Sequence, residues 1–456
     1  MHNADVHPYQ PYTGYPQDVP THYGTPMLVV LDATADAAWL PLWGMTLLER
    51  NLRLVERLGA ARVHVIVRPD DAARVRRRRF PASLEPVVET RTAMTVAREL
   101  AATAAGPVLL LEAAALYDRR AVHVLWQSRA PALLVAGSSP TQAAALLLPP
   151  GAELPDDGNE GDWNALQQIL FDAPETCRVP LETVEQRVSL LRKSVAPLVL
   201  RIHDQASLRQ ADAYLKELAG KGVNDLMAEF VHPPLEFMLT RLVARTRITP
   251  NQVSYFNLLL NVVALPLLAG GWLWTGLALN LLRGVTDGVD GKLARLTLRE
   301  SKGGDRVDHV VDRLYLPAFF LALGWHLSGG NLTALPALSS YFLLVFYLAN
   351  RLLATWFGYF VGASSGDYRP VDRAVRRFWP KRNICVLILL LSLSAGQPEA
   401  GLHAMTALTG LMVIYRIVRL HQEGHRIQRQ RQERNEAGAI AASPASGAET
   451  EVPCRA

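Results

Sequence analysis

Between Met27 and about Pro180, short apolar runs alternate with amphipathic stretches. "MLVVLDA" has the continuous apolar character of a buried strand. "ARVHVIV" repeats it after "TLLERNLRLVERLG", whose apolar residues recur at helical spacing up to a glycine. "GPVLLLEAA", "APALLVAG" and "AAALLLPP" read as further strands. Strands alternating with helices predict a parallel sheet covered on both faces, so residues 27–182 are expected to form an α/β domain. In "LETVEQRVSLLRKSVAPLVL" and "SLRQADAYLKELAG" the apolar positions again fall at helical spacing, which predicts a helical connector over 183–248.

Past residue 250 the pattern changes to six apolar segments, at 251–271, 272–286, 310–327, 335–362, 384–395 and 400–418. Some are shorter than the ~20 apolar residues of an ideal span. The second and third, however, are expected to continue as helix into the charged stretch between them. The expectation is an all-α domain of six transmembrane helices over 249–420, followed by a basic and then disordered tail over 421–456. Residues 1–26 are rich in Pro and Tyr and lack an apolar signal core, so they read as a disordered lead.

Composition supports two kinds of body. A chain of 456 residues exceeds one ordinary domain, and a hydrophobic share of 50% is too high for a purely soluble one. The net charge of +5 is modest, but its placement is informative. The connections "AGGWLWTG", "LSGGNLTA" and "SAGQPEAG" contain no Lys or Arg. The other side holds Arg241, Arg245 and Arg247, the stretch 292–313, "YRPVDRAVRRFWPKR" and the stretch 416–431. This alternation predicts a multi-pass protein of the inner or plasma membrane, with both termini and the α/β domain on the cytoplasmic side. No nucleic-acid partner is indicated, and "RVRRRRF" reads as a solvated basic patch. Cys177, Cys385 and Cys454 stand in no metal-ligand spacing and read as reduced structural thiols.

The candidate chemistry lies in "DGVDGKLARLTLRESKGGDRVDHVVDR", which sets Asp287, Asp290, Asp308 and Asp312 at the edges of membrane segments. Acidic groups at membrane depth are costly and therefore point to function. Asp287 and Asp290 are three apart, and Asp308 and Asp312 four apart, so each pair shares a helical face. Four carboxylates converging from two neighbouring helices repel each other unless cations bind between them, and such hard oxygen ligands suit a pair of Mg²⁺ or Mn²⁺ ions. Gly291 and Gly304 leave room for a bulky ligand at the backbone, and Arg295 offers a bidentate donor fitted to phosphate. Two metals beside an arginine are the equipment of phosphoryl-type transfer.

The spacing D-x2-D-G-x2-A-R-x8-G-x3-D-x3-D, met by Asp287, Asp290, Gly291, Ala294, Arg295, Gly304, Asp308 and Asp312, resembles the signature of the CDP-alcohol phosphatidyltransferase family. The resemblance implies an integral-membrane enzyme that transfers a substituted phosphate from a CDP-linked donor to an alcohol and releases CMP, in phospholipid biosynthesis. Asp287, Asp290, Asp308 and Asp312 are then the ligands of the metal pair, and Asp312 is also the general base on the acceptor hydroxyl. Thr249, Pro250 and Asn251 in "ITPNQVS", together with Gly291, Arg295 and Ser301, match positions that hold the CDP moiety. "NDLMAEFVHPPLEFMLTRLVART" is similar to the family's amphipathic helix lying at the membrane surface. A homodimer is implied.

The first half resembles nucleotidyltransferases of the inositol-phosphate cytidylyltransferase kind. It keeps the helix "PLWGMTLLERNLRLVERLG", but the loop before it has become "LDATADAAWL", with neither glycine nor a basic residue. A loop that cradles phosphate needs glycine for close backbone approach and usually a cation, whereas Asp32 and Asp36 repel an anion. A degenerate domain is therefore expected. The pairing of halves resembles fused cytidylyltransferase and di-inositol-phosphate-phosphate synthase enzymes. With the loop lost, the expected donor is ready-made CDP-diacylglycerol and the acceptor a polyol or inositol phosphate, with the basic run 369–382 as a candidate phosphate holder. The alternatives are a bifunctional enzyme that both forms and consumes CDP-inositol, and a non-catalytic membrane scaffold.

Overall fold

The computed structural model describes residues 27–442 apart from 78–79, 81–82, 153–162, 189–190, 192, 221, 223–225, 300–301, 363 and 367. For 61, 302–312, 427, 430–431 and 433–442 it describes the backbone alone. The expected disordered lead over 1–26, Ser301 and the last residues from 443 lie outside this description.

The first body is an α/β sandwich. Its strands are β1 (Met27–Asp32), β2 (Ala60–Ile66), β3 (Glu85–Glu89), β4 (Val108–Glu112), β5 (Ala132–Ala136), β6 (Ser139–Pro140), β7 (Ala145–Leu148) and β8 (Cys177–Pro180). They form one sheet in the order β8-β5-β7-β4-β1-β2-β3, with β6 paired to β5 off this path. Helices α1 (Leu47–Arg57), α2 (Pro69–Arg76), α3 (Ala93–Thr103), α4 (Arg119–Gln127) and α5 (Trp163–Asp172) accompany it. The apolar strands read as continuous runs because both faces are covered. β1 sends Val29 and Leu31 into one buried cluster and Val30 into the other, and β4 divides Leu109 and Leu111 from Val108 and Leu110 in the same way.

Three features differ from the sequence reading. The sheet is mixed, because β7 runs antiparallel to both β4 and β5. The chain reverses through a hairpin at Gly137, with no crossover helix between β5 and β7 to restore the direction. β3 and β8 escape the apolar-run criterion, since "EPVVE" and "CRVP" each hold only a few apolar residues. Among the described residues no α-helix occurs between Thr183 and Gln205. Val199–Arg201 instead pairs antiparallel with Ala115–Tyr117, burying Val199 and Leu200 against the α/β body, and Pro197 just before them cannot donate a helical hydrogen bond. Helix α6 (Gln205–Ala219), capped by Asp204 and Ser207, follows.

The second body is helical throughout: α7 (Leu226–Phe230), α8 (His232–Ala244), α9 (Pro250–Ala269), α10 (Leu273–Leu296), α11 (Lys302–Leu327), α12 (Leu335–Val361), α13 (Pro370–Arg376), α14 (Arg382–Ser394) and α15 (Pro398–Ala442). Each of the six apolar segments falls on one helix, to within two residues at its ends. Among the described residues three are long and apolar enough to cross a membrane, Pro250–Ala269, Leu335–Val361 and Pro398–Arg426, and Arg382–Ser394 is a shorter apolar helix. The second body is thus built on membrane-spanning helices. α15 continues well beyond the expected end at 420, because the Gln-, Arg-, Glu- and Ala-rich stretch after it is made of good helix formers.

Candidate active site

Helix α9 opens with a complete cap. Thr249 Oγ accepts from the Gln252 N–H, the Gln252 side chain accepts from the Thr249 N–H at 2.8 Å, and Pro250 occupies the first turn, where its missing N–H costs nothing. The expected donor contacts Thr249, Pro250 and Asn251 therefore also set where this helix begins. One turn on, Ser254 donates a 2.8 Å hydrogen bond to Oδ2 of Asp290 on α10, while the Gly291 N–H donates to Oδ1 of the same carboxylate. Thr246, Arg247, Thr249 and Arg299 line a cleft at this end of the bundle.

Asp287, one turn before Asp290, is flanked by two cations. Arg382, the first residue of α14, reaches Oδ2 at 3.1 Å, and Arg283 lies 3.6 Å from Oδ1. The Arg283 guanidinium stacks 5.3 Å from the centre of the Tyr315 ring on α11, and the Tyr315 hydroxyl donates to Asn280 at 2.6 Å. Thr286 donates to Asn257 of α9. A band of buried polar groups thus extends from the carboxylates down between α9, α10 and α11.

The Asn280–Tyr315 bond also fixes the register of α10 against α11. Seven residues, about two helical turns, separate Asn280 from Asp287, and seven separate Asp308 from Tyr315. The two pairs therefore have matching offsets along their helices. The side chains of Asp308 and Asp312 lie outside the described residues, as does the whole of Ser301. Among the described side chains no group of three or more His, Cys, Asp or Glu is close enough to hold a metal. The all-carboxylate donor set of Asp287, Asp290, Asp308 and Asp312 has the hard oxygen chemistry that fits Mg²⁺ or Mn²⁺.

Two glycines have roles the pattern did not disclose. A Cβ on Gly291 would stand 3.1 Å from Arg295 Nη1, so this glycine admits the guanidinium that folds back over it. Nε of Arg295 donates to the Ala219 carbonyl at the end of α6, at 2.9 Å. A Cβ on Gly288 would collide with the Glu236 carboxylate, so Gly288 lets α8 lie close against α10. α8 turns His232, Glu236 and Thr240 inward and leaves Leu235, Met238 and Leu242 exposed. Glu236 forms a buried ion pair with Lys292, which lies inside the aspartate motif, and His232 sits 3.9 Å from the same carboxylate. Ser254, Glu236 and Lys292 were missed from sequence, and Arg382 was read only as the end of the basic run 369–382. Lys292 alone had a visible signal, its place between Asp290 and Arg295.

In the α/β body, Asp32 and Glu112 are register partners at the carboxyl ends of β1 and β4, where the sheet order turns from one side of β1 to the other. That crevice is where open α/β sheets bind ligands. Here Asp32 accepts from Trp163 Nε1 at 2.6 Å and from Thr34 Oγ1 at 2.7 Å. Glu112 accepts two bonds from Arg201, at 2.6 and 2.8 Å, and one from the Ala144 N–H at 2.6 Å. Asp36 pairs with Arg68 at 2.6 Å.

Residues 247–418 match the family described as CDP-alcohol phosphatidyltransferase. The protein named bifunctional IPC transferase and DIPP synthase from Aquifex aeolicus is 26% identical over 272 residues, covering 57% of this chain and 61% of that one. The chain spans less than two thirds of the length of the curated relatives it matches. Among solved structures, phosphatidylinositol phosphate synthase of Mycobacterium tuberculosis with CDP-DAG bound is 17% identical, covering 41% of this chain and 94% of that one, with a TM-score of 0.33. The 4-diphosphocytidyl-2C-methyl-D-erythritol synthase of Anaerococcus prevotii is 12% identical, covering 42% of this chain and 99% of that one, with a TM-score of 0.29.

Proposed function

We propose that this protein is an integral-membrane CDP-alcohol phosphatidyltransferase, taking CDP-diacylglycerol as donor and a polyol or inositol phosphate as acceptor. The observation that carries the reading is the complete signature from Asp287 to Asp312 on two consecutive helices within the region that matches the family. Asp287, Asp290, Asp308 and Asp312 would hold a pair of Mg²⁺ or Mn²⁺ ions, which when bound neutralise the pyrophosphate of the donor. Arg295, Gly291, Ser301 and the turn Thr249–Pro250–Asn251 hold the CDP moiety. The positive-inside pattern supports a site facing the cytoplasm.

In the transfer itself, the acceptor hydroxyl oxygen bonds to the donor phosphorus that bears the lipid. The bond from that phosphorus to the oxygen bridging toward cytidine monophosphate breaks, and CMP leaves with the electron pair. Asp312 takes the hydroxyl proton. Ser254 fixes the Asp290 carboxylate, and Arg283 and Arg382 orient Asp287. Arg382, at the end of the basic run 369–382, also brings a cation to the side on which an acceptor phosphate would approach.

The α/β body is assigned no cytidylyl transfer, because Asp32 and Glu112 are engaged by Trp163, Thr34, Arg201 and Ala144 in the crevice that a nucleotide would occupy. The test of the transferase reading is the full chain in lipid nanodiscs with CDP-diacylglycerol, Mg²⁺ and a panel of polyols and polyol phosphates. Release of CMP with formation of one new phosphodiester lipid is expected. No CMP release with any acceptor overturns it.

A further inference from the structure

Among the described residues only two non-glycines have positive φ, Trp43 and Leu298, each at +52°. They lie 255 positions apart in sequence, yet both sit where the α/β body meets the end of α10. A side chain in this region of backbone space is strained and persists only where its surroundings hold it.

Trp43 and Gly44 form the turn of a two-residue hairpin that pairs Leu42 with Met45. Positive φ at both positions is the type I′ geometry favoured in such hairpins, although asparagine or glycine normally takes the first of them. The Trp43 ring lies 6.1 Å from that of Phe237 on α8, with the Arg241 guanidinium 5.1 Å above it. Gly44 abuts the Ala244 carbonyl so closely that a methyl group there would overlap it. From the other side, α10 ends in a Schellman turn, with the Arg299 N–H on Ala294 and the Leu298 N–H on Arg295. Leu298 takes the position that glycine usually fills and packs its side chain against the core of the α/β body. Three arginines of α1 then cap the turn. Arg50 donates to the Leu296 carbonyl at 2.6 Å, Arg53 to Thr297 at 2.7 Å and Arg57 to Leu298 at 3.2 Å. Cations at a helix carboxyl end also complement its dipole.

The residues making this contact belong to "PLWGMTLLERNLRLVERLG", the part of the nucleotidyltransferase pattern that the chain retains. We propose that this hairpin and helix position the carboxyl end of α10, holding Arg295 in the geometry that receives the donor. Trp43, Arg50 and Arg53 are positioning residues for a site in the other body, which gives the otherwise degenerate domain its task. The proposal rests on the transferase reading for its kinetic consequence, but not for its structural one.

The test uses the full chain in nanodiscs and two readouts. Hydrogen exchange reports the last turn of α10 through peptides covering 293–299, and the α/β core through those covering 27–32 and 108–112. Kinetics give KM for CDP-diacylglycerol and kcat for CMP release. The Arg50→Ala/Arg53→Ala variant is expected to speed exchange at 293–299 and raise donor KM roughly tenfold, about the effect of one lost charge-assisted hydrogen bond, with kcat little changed. Leu298→Ala removes the side-chain packing from the α10 side while keeping a Cβ at the strained position, and is expected to shift both readouts the same way. Arg62→Ala, whose Glu85 partner lies within the α/β body, should shift neither. Unchanged exchange at 293–299 in both test variants overturns the proposal, and so does faster exchange with unchanged donor KM. Faster exchange in a protein whose wild type turns over no CDP donor overturns the transferase reading and leaves the positioning contact standing.

Discussion

Arg382 lies 3.1 Å from the Asp287 carboxylate, across 95 residues of sequence. The bond ties the start of α14 to the signature helix and puts the last cation of the basic loop beside the proposed metal ligands. If this arginine also meets the acceptor phosphate, Arg382→Met should raise the acceptor KM about tenfold or more, the size of a lost charge-assisted bond, and leave donor KM within a few-fold. Initial rates of CMP release with either substrate varied separate the two. A rise in donor KM alone would remove Arg382 from acceptor recognition.

Asp308→Asn keeps the shape of the side chain and removes its charge, so metal binding should fail while the fold is kept. CMP release should fall to background even at saturating Mg²⁺, with thermal unfolding close to wild type. Near-normal release would end the assignment of Asp308 as a ligand.

General-base and donor-binding roles separate in a pair of variants. Asp312→Asn should bind CDP-diacylglycerol within a few-fold of wild type and lose ~10²–10⁴ in turnover, the usual contribution of a positioned base. Arg295→Ala should chiefly lose donor affinity, since its guanidinium lies over Gly291. Calorimetry beside CMP release reads both. If Asp312→Asn loses donor binding as fully as Asp287→Asn, it acts first as a metal ligand.

The α/β body should not make a CDP-linked donor. The Asp312→Asn full chain, which cannot carry out the second reaction, is incubated with CTP, Mg²⁺ and inositol 1-phosphate and assayed for pyrophosphate. No release above a protein-free blank is expected, and robust release would restore the bifunctional reading.

The Glu236–Lys292 pair gives a stability prediction. Lys292→Met leaves the Glu236 carboxylate buried without its ammonium partner and should cost about 3–5 kcal/mol, whereas Lys292→Met/Glu236→Leu should recover most of that loss. Thermal unfolding in detergent checks the order of the three proteins. A double variant no more stable than the single one would contradict the ion-pair account.

The helical character of the six apolar segments was legible because apolar runs of that length have few other uses, although only three of the helices are long and apolar enough to span by themselves among the described residues. β1, β4, β5 and β7 were legible because strands buried on both faces read as near-continuous apolar runs, and β2 because Val63, Val65 and Ile66 stand out around Arg62 and His64. β3 escaped because an edge strand needs little apolar content. The segment before α6 misled because Val199 and Leu200, which are buried as a strand against Leu116 and Tyr117, also fit a helical period. The identities of the four aspartates stood out in one short motif. Their partners did not, because Ser254, Glu236 and Arg382 come from three other helices and only tertiary structure brings them to Asp290, Lys292 and Asp287.

The Arg50–Leu296 bond has a consequence in the order of synthesis. Arg50 is made 246 residues before its acceptor. At ordinary elongation rates of ~5–20 residues per second, roughly 10–50 s pass between them. Helices α6 and α8, which set Tyr214, Leu215 and Phe237 against the hairpin of Leu42 and Trp43, are made within that interval, but the arginine face of α1 still lacks the end of α10. The α/β body can complete this contact only after the end of α10 has been made, so folding of the two halves is coupled. A chain that stops short of the end of α10 leaves Arg50, Arg53 and Arg57 without the carbonyls they bond, so the α/β body is finished only by its partner half.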